Sequence, residues 1–168
     1  IQIAGEQHGL DWCVIRPHNV YGVKQNIWDK YRNVLGIWMF QHMNGEPMTI
    51  FGDGSQTRSF CYVDDLIEGI YRLLLSDYVK PMNIGNPDEI SLKAFAEEII
   101  QLTGTKNKIV YKELPEDDPK QRQPDITRAK EILEWEPKVS RQEGLKITYE
   151  YFKSLSKEEL YKSKHRFE

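Results

Sequence analysis

The sequence lacks any apolar run that approaches the roughly 20 residues needed to cross a bilayer, and it carries no recognisable signal peptide. It is also poor in cysteine: Cys13 and Cys61 lie in apolar, strand-like runs and have no metal-ligand spacing. Buried, reduced thiols are the usual state of such residues, so neither a disulfide nor a metal site is predicted. These absences favour a cytoplasmic protein without a membrane partner.

Charge of one sign is not concentrated anywhere in the chain. The 23 lysines and arginines are interspersed with 26 aspartates and glutamates, which gives a net charge of −3. Because nucleic-acid surfaces need a basic patch or stripe, nucleic acid is not an expected partner. The sequence also lacks a nucleophile elbow, an HExxH pair and a P-loop, and this excludes the enzyme classes that depend on those motifs.

Short apolar runs alternate with amphipathic segments along the 168 residues, of which 39% are hydrophobic. This alternation is typical of one α/β domain with a substantial core. Strands are predicted for WCVIRP (12–17), MTIF (48–51), FCYV (60–63), MNIG (82–85) and KIVYKE (108–113). Helices are predicted for residues 30–44, from Asp64 onward, and for 91–104, 125–133 and 140–155.

The helix that starts near Asp64 has the most detailed prediction. Asp65 and Glu68 have the spacing of a capping box, in which two side chains satisfy the free amides of the first turn. The apolar residues that follow recur at helical spacing and predict the face that packs on the core. That face consists of Leu66, Ile70, Leu73 and Leu74.

The opening IQIAGEQHGL has the character of a helix end, with Gly9 as the residue that stops it. The chain also begins at Ile1, without methionine. We therefore expect this chain to be a piece of a longer protein.

Three arginines occupy positions suited to an anion. Arg16 ends a strand before a proline, and Arg58 follows a GDGS turn whose closely spaced amides can form an anion nest. Arg122 lies in a polar loop just before a predicted helix start, whose positive end favours anions. Guanidinium forks match phosphate geometry, so convergence of these elements would make a diphosphate clamp. Ordinary surface or salt-bridge arginines are the alternative, and spacing alone does not show convergence.

Two further groups of polar residues could each belong to a binding site or have only a structural role. His18 and Asn19 follow a strand at its C-terminal end, where α/β folds bind ligands, but Asn19 also suits a turn in which it caps its own backbone. Asp117 and Asp118 form a carboxylate pair of the kind that can hold a metal ion, but adjacent acids in a proline-bearing loop are usually solvated. From the residues alone, the sequence predicts an anion-binding α/β domain.

Four motifs, in order, resemble one known family. They are RPHNVYG, NGEPMTIFGDGSQTRSFCYVDD, MNIGNPDEISLKAFAEEI and DDPKQRQPDITRAKEILEWEPKVSRQEGL. Together they resemble the C-terminal half of the extended short-chain dehydrogenase/reductase enzymes, the NAD-dependent nucleotide-sugar epimerases, dehydratases and decarboxylases. The resemblance covers nearly the whole chain. It implies an α/β fold, the C-terminal portion of an extended Rossmann-type fold that includes the small substrate-binding subdomain, as a single unit over residues 1–168.

The resemblance implies a substrate site for a UDP-sugar. Asn19 would contact the sugar diphosphate, and Arg58 and Arg122 would grip the phosphates. Asp125 would lie near the ribose or brace Arg122. Arg32 would correspond to the arginine that faces the substrate in the decarboxylases.

The resemblance also implies contacts with the two aromatic rings of substrate and cofactor. Thr49, Ile50 and Phe51 would form the strand edge that pairs with the uracil. Pro17 and His18 would lie against the nicotinamide of NAD.

The motifs divide between two reactions. The last one, DDP…RQPDI…WEPKVS, resembles UDP-glucuronate decarboxylase most, whereas residues 16–43 resemble UDP-glucose 4-epimerase. In both enzymes the sugar is oxidised at C4, and the 4-keto sugar then either loses CO2, which leads to UDP-xylose, or turns over and is reduced on its other face. The resemblance therefore implies a UDP-glucuronate decarboxylase, with UDP-glucose 4-epimerase as the alternative.

The glycine-rich dinucleotide fingerprint of the family is absent from these residues, and their one Y-x-x-x-K match, Tyr149 to Lys153, lies in the last predicted helix and not ahead of the N-x-Y-G motif, where the family has its catalytic pair. In relatives that pair lies just upstream of where Ile1 begins, so no catalytic residue is expected in this chain and the chain alone is expected to be inactive. NAD would be bound mainly by the missing N-terminal half. Full-length relatives are commonly dimers, which implies a homodimer for the parent protein. A non-catalytic UDP-sugar-binding module is the alternative from another class.

One residue departs from the family pattern. Glu134 precedes Trp135 where the family usually has glycine. If the backbone there needs a positive φ, a non-glycine residue costs on the order of 1 kcal/mol.

Overall fold

The computed structural model describes residues 1–27, 33–115 and 118–162. Helices and short strands alternate along them, as the sequence predicts. The helices are α1 (Gln2–His8), α2 (Val34–Met43), α3 (Val63–Leu74), α4 (Leu92–Thr103), α5 (Thr127–Leu133), α6 (Arg141–Ser154) and α7 (Lys157–Lys162). The strands are β1 (Ile15–Pro17), β2 (Val20–Tyr21), β3 (Met48–Phe51), β4 (Thr57–Ser59), β5 (Cys61–Tyr62), β6 (Met82–Ile84), β7 (Glu89–Ser91), β8 (Ile109–Lys112) and β9 (Gln121–Arg122).

One part of the fold is built on the parallel pair β1 and β6. Parallel strands need a crossover connection, and α3 lies between them in the chain and packs on both. Gly69 of α3 permits this close approach, because a Cβ atom there would lie 2.6 Å from Ile84 Cγ2. Helix α5 covers the same core, which contains Leu66, Leu73, Met82, Ile84, Ala129, Leu133 and Trp135.

A second core lies under α2, α4 and α6. The rings of Phe60 and Phe95 stack there at 4.2 Å between centroids, and the ring of Trp38 lies 5.8 Å from that of Phe95. Two small sheets border this core: the parallel pair β3–β8 and the three-stranded sheet β7–β4–β9.

Arg141 fixes the start of α6 against other elements around the second core. Its guanidinium donates to Glu98 through Nε and Nη2, at 2.9 Å and 3.0 Å, and through Nη1 to Asp88 at 2.6 Å. The preceding Ser140 caps the helix by accepting a hydrogen bond from the Glu143 amide. A bidentate arginine therefore joins α6, α4 and the loop before β7.

The predicted capping box of α3 is wrong. The helix begins at Val63, its N-cap is Tyr62, and no side chain caps it. Asp65 lies inside the first turn and is buried, and its carboxylate accepts a hydrogen bond from the Val139 amide at 2.9 Å. A long-range contact has thus taken the side chain that the local spacing assigned to capping.

The predicted apolar face of α3 is only half correct. Leu66 and Leu73 are buried, but Ile70 is 39% exposed and Leu74 is 67% exposed. The buried face instead runs through Gly69, because only a residue without a side chain lets α3 lie this close to β6. Ile67, Tyr71 and Leu75 extend the exposed side.

Several strand predictions differ from the structure in extent. The strand predicted at 12–17 is confined to Ile15–Pro17, and these residues are not buried. The strand predicted at 60–63 is confined to Cys61–Tyr62, which form β5, and Val63 already starts α3. Residues 30–32 of the predicted second helix lie outside the described residues, and α2 begins at Val34 with Asn33 as its N-cap.

Other boundaries agree with local signals. Helix α1 ends at Gly9 and α4 at Gly104, both with left-handed backbone. Ser91 caps α4 by accepting a hydrogen bond from the Ala94 amide. In the described part of the chain, no helix combines the length and the apolar character that crossing a bilayer requires.

Glu134 has the strained backbone that its position in the sequence suggested. It ends α5 with φ 49°, in the left-handed region, and its carbonyl accepts a hydrogen bond from Arg72 at 2.7 Å. We expect Glu134→Gly to raise the free energy of unfolding by about 0.5–1 kcal/mol, because glycine adopts this conformation without a Cβ clash. Urea unfolding measures the change. Glu131→Gly, in the interior of the same helix, should instead lower stability by about 1 kcal/mol, and a loss in both variants would contradict the strain argument.

Candidate functional site

Two cavities adjoin each other, and we call them cavity A and cavity B. Cavity A, of about 480 Å³, is lined by Arg58, Arg122, Thr49 and Phe51 among others. Cavity B, of about 520 Å³, is lined mainly by residues 19–26. Asn19 and Asn33 line both cavities and so form the wall between them.

The sheet β7–β4–β9 brings the two predicted phosphate-binding arginines together. Strands β4 and β9 are parallel, and Arg58 and Arg122 are partners in their register. Neighbouring strands lie about 4.8 Å apart and paired residues point to the same face, so both guanidinium groups serve one cavity. The carboxylate of Glu89 fixes this arrangement, since it accepts hydrogen bonds from Thr57 of β4 and Gln121 of β9. The convergence that spacing could not show is therefore present.

Arg58 is buried, with 8% of the residue exposed. Its Nη1 donates to the Thr57 carbonyl at 2.8 Å, and its Nη2 forms an ion pair with Asp118 Oδ1 at 2.6 Å. A buried charge needs such a partner, because desolvation of an unpaired guanidinium is costly. Asp118 lines cavity A as well, so the protein offers both a fixed cation and an acceptor at this point.

Arg122 differs from Arg58 in its surroundings. It is exposed, and within the described residues its guanidinium has neither a hydrogen bond nor an ion pair. An exposed, unpaired arginine beside a buried, paired one is suited to closing on an anion from the solvent side.

Asp125 does not line either cavity. Its Oδ1 accepts hydrogen bonds from the amide and the hydroxyl of Thr127, at 2.9 Å and 2.7 Å, and these bonds hold the pKa of the Asp125 carboxyl below its usual range. The positive end of α5, which the sequence suggested could bind an anion, thus already has the carboxylate of Asp125 beside it. The described contacts of Asp125 do not include Arg122, so bracing of that arginine stays a prediction.

The GDGS turn contributes less than its sequence suggested. Gly52 and Gly54 have positive φ, as a tight turn requires, but the Ser55 amide donates to Asp53 Oδ1 and is not available as part of an anion nest. The residue that the turn does deliver to cavity A is Gln56, whose Nε2 donates to the Phe51 carbonyl at 2.5 Å.

The strand edge predicted to pair with uracil lies at cavity A, but it is already partly hydrogen bonded. Thr49 donates its amide to Gln41 at 3.0 Å and accepts from Trp38 Nε1 at 2.7 Å. Thr49 and Phe51 line the cavity, whereas Ile50 points into the core and is 1% exposed, as strand alternation requires. A base at this edge would share the Thr49 and Phe51 carbonyls, each of which has a second lone pair.

The start of α2 forms the wall between the cavities. Asn33 Oδ1 accepts from the Gly36 amide and from Gln25 Nε2, and Asn33 Nδ2 donates to the Val20 carbonyl at 2.6 Å. One side chain therefore ties the helix, strand β2 and the loop of cavity B together. Val34, the first residue of α2, lines cavity A, so the positive end of a ten-residue helix faces it.

Cavity B contains strained backbone and a buried phenol. Asn19 and Lys24 have φ values of 33° and 61°, which non-glycine residues rarely adopt and which recur at functional sites. Burial raises the pKa of Tyr21, whose hydroxyl donates to the Arg141 carbonyl at 3.3 Å. A phenol with a raised pKa is a poor base at neutral pH, so Tyr21 is not suited to act as a general base.

Pro17 and His18 lie apart from both cavities, at the carboxyl end of parallel strand β1. His18 Nδ1 is 3.0 Å from the Arg16 carbonyl, and the His18 amide donates to Ile84. Pro17 is exposed. Arg16 is exposed as well and lines neither cavity, so it is not part of a clamp with Arg58 and Arg122.

The predicted site residue Arg32 lies outside the described residues, as does Asp117 of the carboxylate pair. Three polar residues of the wall of cavity A were not predicted as binding residues: Asn33, Gln56 and Asp118. Asn33 had a signal, since an asparagine before an apolar helical run is a good N-cap. Gln56 and Asp118 had none, because their position depends on contacts with distant strands.

The comparison with known families decides the classification. The NAD dependent epimerase/dehydratase family matches residues 1–85. The chain belongs to this family. The structure adds that residues beyond the match, in α4, β9 and the loop before β9, complete the wall of cavity A.

The curated relatives of this family member include several plant and animal enzymes. It is 44% identical over 147 residues to UDP-glucuronic acid decarboxylase 5 of Arabidopsis thaliana, a match that covers 88% of the chain and 42% of that protein. It is 40% identical over 148 residues to UDP-glucuronic acid decarboxylase 1 of Xenopus tropicalis, with coverage of 88% and 35%. The chain thus spans less than half the length of these relatives.

Solved structures of similar fold include several epimerases. The UDP-glucose 4-epimerase of Thermotoga maritima with UDP-glucose matches with a TM-score of 0.85 and 34% identity, over 90% of this chain and 49% of that one. The UDP-glucuronic acid 4-epimerase of Bacillus cereus in complex with UDP-glucuronic acid and NAD matches with a TM-score of 0.82 and 28% identity, over 92% and 49%. The α/β fold class, the C-terminal portion of an extended Rossmann-type fold, is confirmed.

Proposed function

We propose that this chain is the substrate-binding part of a longer NAD-dependent enzyme that modifies a UDP-sugar through a 4-keto intermediate. The observation that carries the proposal is the pairing of Arg58 and Arg122 on adjacent parallel strands at cavity A. Two guanidinium groups on one face, beside the positive end of α2, suit a diphosphate. The names of the curated relatives support UDP-glucuronate as the sugar nucleotide.

The residues of cavity A have distinct roles in this proposal. Arg58, held by Asp118, is a fixed cation for the diphosphate, and Arg122 closes on it from the solvent side. The carbonyls of Thr49 and Phe51 accept hydrogen bonds from the uracil. Asn19, in the shared wall, contacts the part of the substrate that passes from the diphosphate to the sugar.

The residues at the carboxyl end of β1 are chemically suited to contact the nicotinamide ring of NAD. The exposed ring of Pro17 offers an apolar surface at a strand end, where parallel α/β folds bind ligands, and His18 is held beside it. When bound, NAD supplies hydride chemistry at the sugar C4. This chain's own residues bind and orient the sugar nucleotide, and the groups that move the hydroxyl proton lie outside the 168 residues.

Decarboxylation is the favoured reaction. In a uronic acid oxidised at C4, the ketone is β to the carboxylate, so the electrons of the breaking C–C bond pass to the ketone as CO2 leaves. The identity to UDP-glucuronic acid decarboxylases supports this reaction. Epimerisation at C4 is the second candidate, supported by the fold similarity to a UDP-glucose 4-epimerase. A homodimer and a cytoplasmic location of the full-length protein stay predictions.

Calorimetric titration and product analysis test the proposal. We expect the purified chain to bind UDP at least tenfold more tightly than uridine, because charged hydrogen bonds to the diphosphate contribute about 1.5–3 kcal/mol. With added NAD and either UDP-glucuronate or UDP-glucose, the chain alone should give no product, whereas the full-length protein should release CO2 from UDP-glucuronate. Equal affinity for UDP and uridine would exclude a diphosphate site, and turnover by the chain alone would show that it contains its own base.

A further inference from the structure

Cavity B continues from cavity A across a wall of two side chains. Asn19 and Asn33 line both cavities, and Asn33 is fixed by hydrogen bonds to strand β2, helix α2 and Gln25. A ligand whose diphosphate lies in cavity A can therefore place its next chemical group at this wall. In a nucleotide sugar that group is the sugar.

The wall of cavity B is polar but carries little charge. Among the residues that the structure describes, Lys24 is the only charged one that lines it. The other polar groups are the side-chain amides of Asn19, Gln25, Asn26 and Asn33. Amides recognise hydroxyl groups, whereas an ammonium adds a preference for negative charge.

Two properties of Lys24 bear on what cavity B can bind. Its backbone has φ 61°, a left-handed conformation that costs free energy for a residue with a Cβ atom. Its ammonium has neither an ion pair nor a hydrogen bond within the described part of the chain. The loop is thus held in a strained form that places an unneutralised cation at the cavity.

We propose that cavity B takes the sugar ring and that Lys24 pairs there with a carboxylate carried by that sugar. The inference rests on the proposed function and makes it more specific, because it selects a uronic acid over a neutral hexose. The diphosphate is bound by Arg58 and Arg122 in either case. Lys24 therefore acts on the choice between substrates and not on nucleotide binding as such.

The test compares three ligands on the purified chain by calorimetry at low ionic strength: UDP, UDP-glucose and UDP-glucuronate. The unmodified chain should bind UDP-glucuronate about three- to fivefold more tightly than UDP-glucose, as expected for one partly exposed ion pair. In Lys24→Met the two sugars should bind equally, and in Lys24→Arg the preference should persist. The preference should also fall at high salt.

Lys106→Met is the matched control, since it removes the same charge from an exposed residue that lines neither cavity. It should keep the preference for UDP-glucuronate. Absence of UDP binding by the unmodified chain would contradict the proposed function itself. Binding of UDP with no preference for the uronate, or with a preference that Lys24→Met retains, would overturn only the role of Lys24.

Discussion

Arg58→Met is expected to weaken binding of UDP by about 10- to 100-fold while changing the affinity for uridine by less than about twofold. The reason is that Arg58 is buried, is held in place by Asp118, and is the fixed cation of cavity A. A hydrogen bond to a charged group contributes about 1.5–3 kcal/mol, which corresponds to this range of affinities. Calorimetric titration of both ligands into the variant measures the effect.

Uridine and a second arginine serve as controls for Arg58→Met. Uridine lacks the diphosphate, so a loss of uridine binding would mean that the substitution acts through the fold. Arg128→Met removes an exposed guanidinium of α5 that lines neither cavity, and it should leave both affinities unchanged. Arg122→Met should weaken UDP binding less than Arg58→Met, because Arg122 is exposed to solvent. Unchanged UDP affinity in both cavity variants would reject the clamp.

Gly144→Ala is expected to lower the free energy of unfolding by about 2 kcal/mol. Gly144 is buried in α6, and an added Cβ would overlap the Tyr21 hydroxyl oxygen and lie 3.0 Å from Tyr62 Cδ2. Such overpacking costs up to about 3 kcal/mol, and the better helix propensity of alanine offsets roughly 1 kcal/mol of it. Urea unfolding of the variant and the parent chain measures the difference.

Tyr21→Phe provides the matched test of that explanation, because it removes the one oxygen atom that the new Cβ would overlap. Alone it should cost about 0.5–1 kcal/mol, since the Tyr21 hydroxyl donates to Arg141 only at 3.3 Å. Combined with Gly144→Ala it should recover part of the loss, so the double variant should be more stable than the sum of the single effects predicts. Additive effects within about 0.5 kcal/mol would show that another contact limits the space at Gly144.

Local signals predicted most boundaries of the fold. Gly9 and Gly104 end helices because their left-handed backbone disfavours other residues, and Ser91 and Ser140 cap helices with their own side chains. These features depend on a few consecutive residues, so they can be predicted without knowing which distant segments pack against them. The prediction at Glu134 was of the same kind, and the positive φ confirms it.

Long-range packing determined the role of a side chain where it conflicted with the local sequence pattern. Asp65 fits a capping box by spacing, yet it is buried and accepts from the Val139 amide. Ile70 and Leu74 match the apolar pattern of α3, yet they are exposed because the helix turns Gly69 toward β6. In the first case a contact with a distant part of the chain outweighs a helix cap worth about 1 kcal/mol.

By itself the sequence determined the α/β class, the family motifs and the residue types suited to a diphosphate, because these depend on composition and short-range order. Only the tertiary structure decided that Arg58 and Arg122 share a register, that Asp118 neutralises Arg58, and that Lys24 lines the adjoining cavity. Strand pairing joins residues that are far apart in the chain, and their spacing carries no record of which strands will pair. The sequence therefore contained the residues of the site, and the pairing of β4 with β9 brought the two arginines side by side.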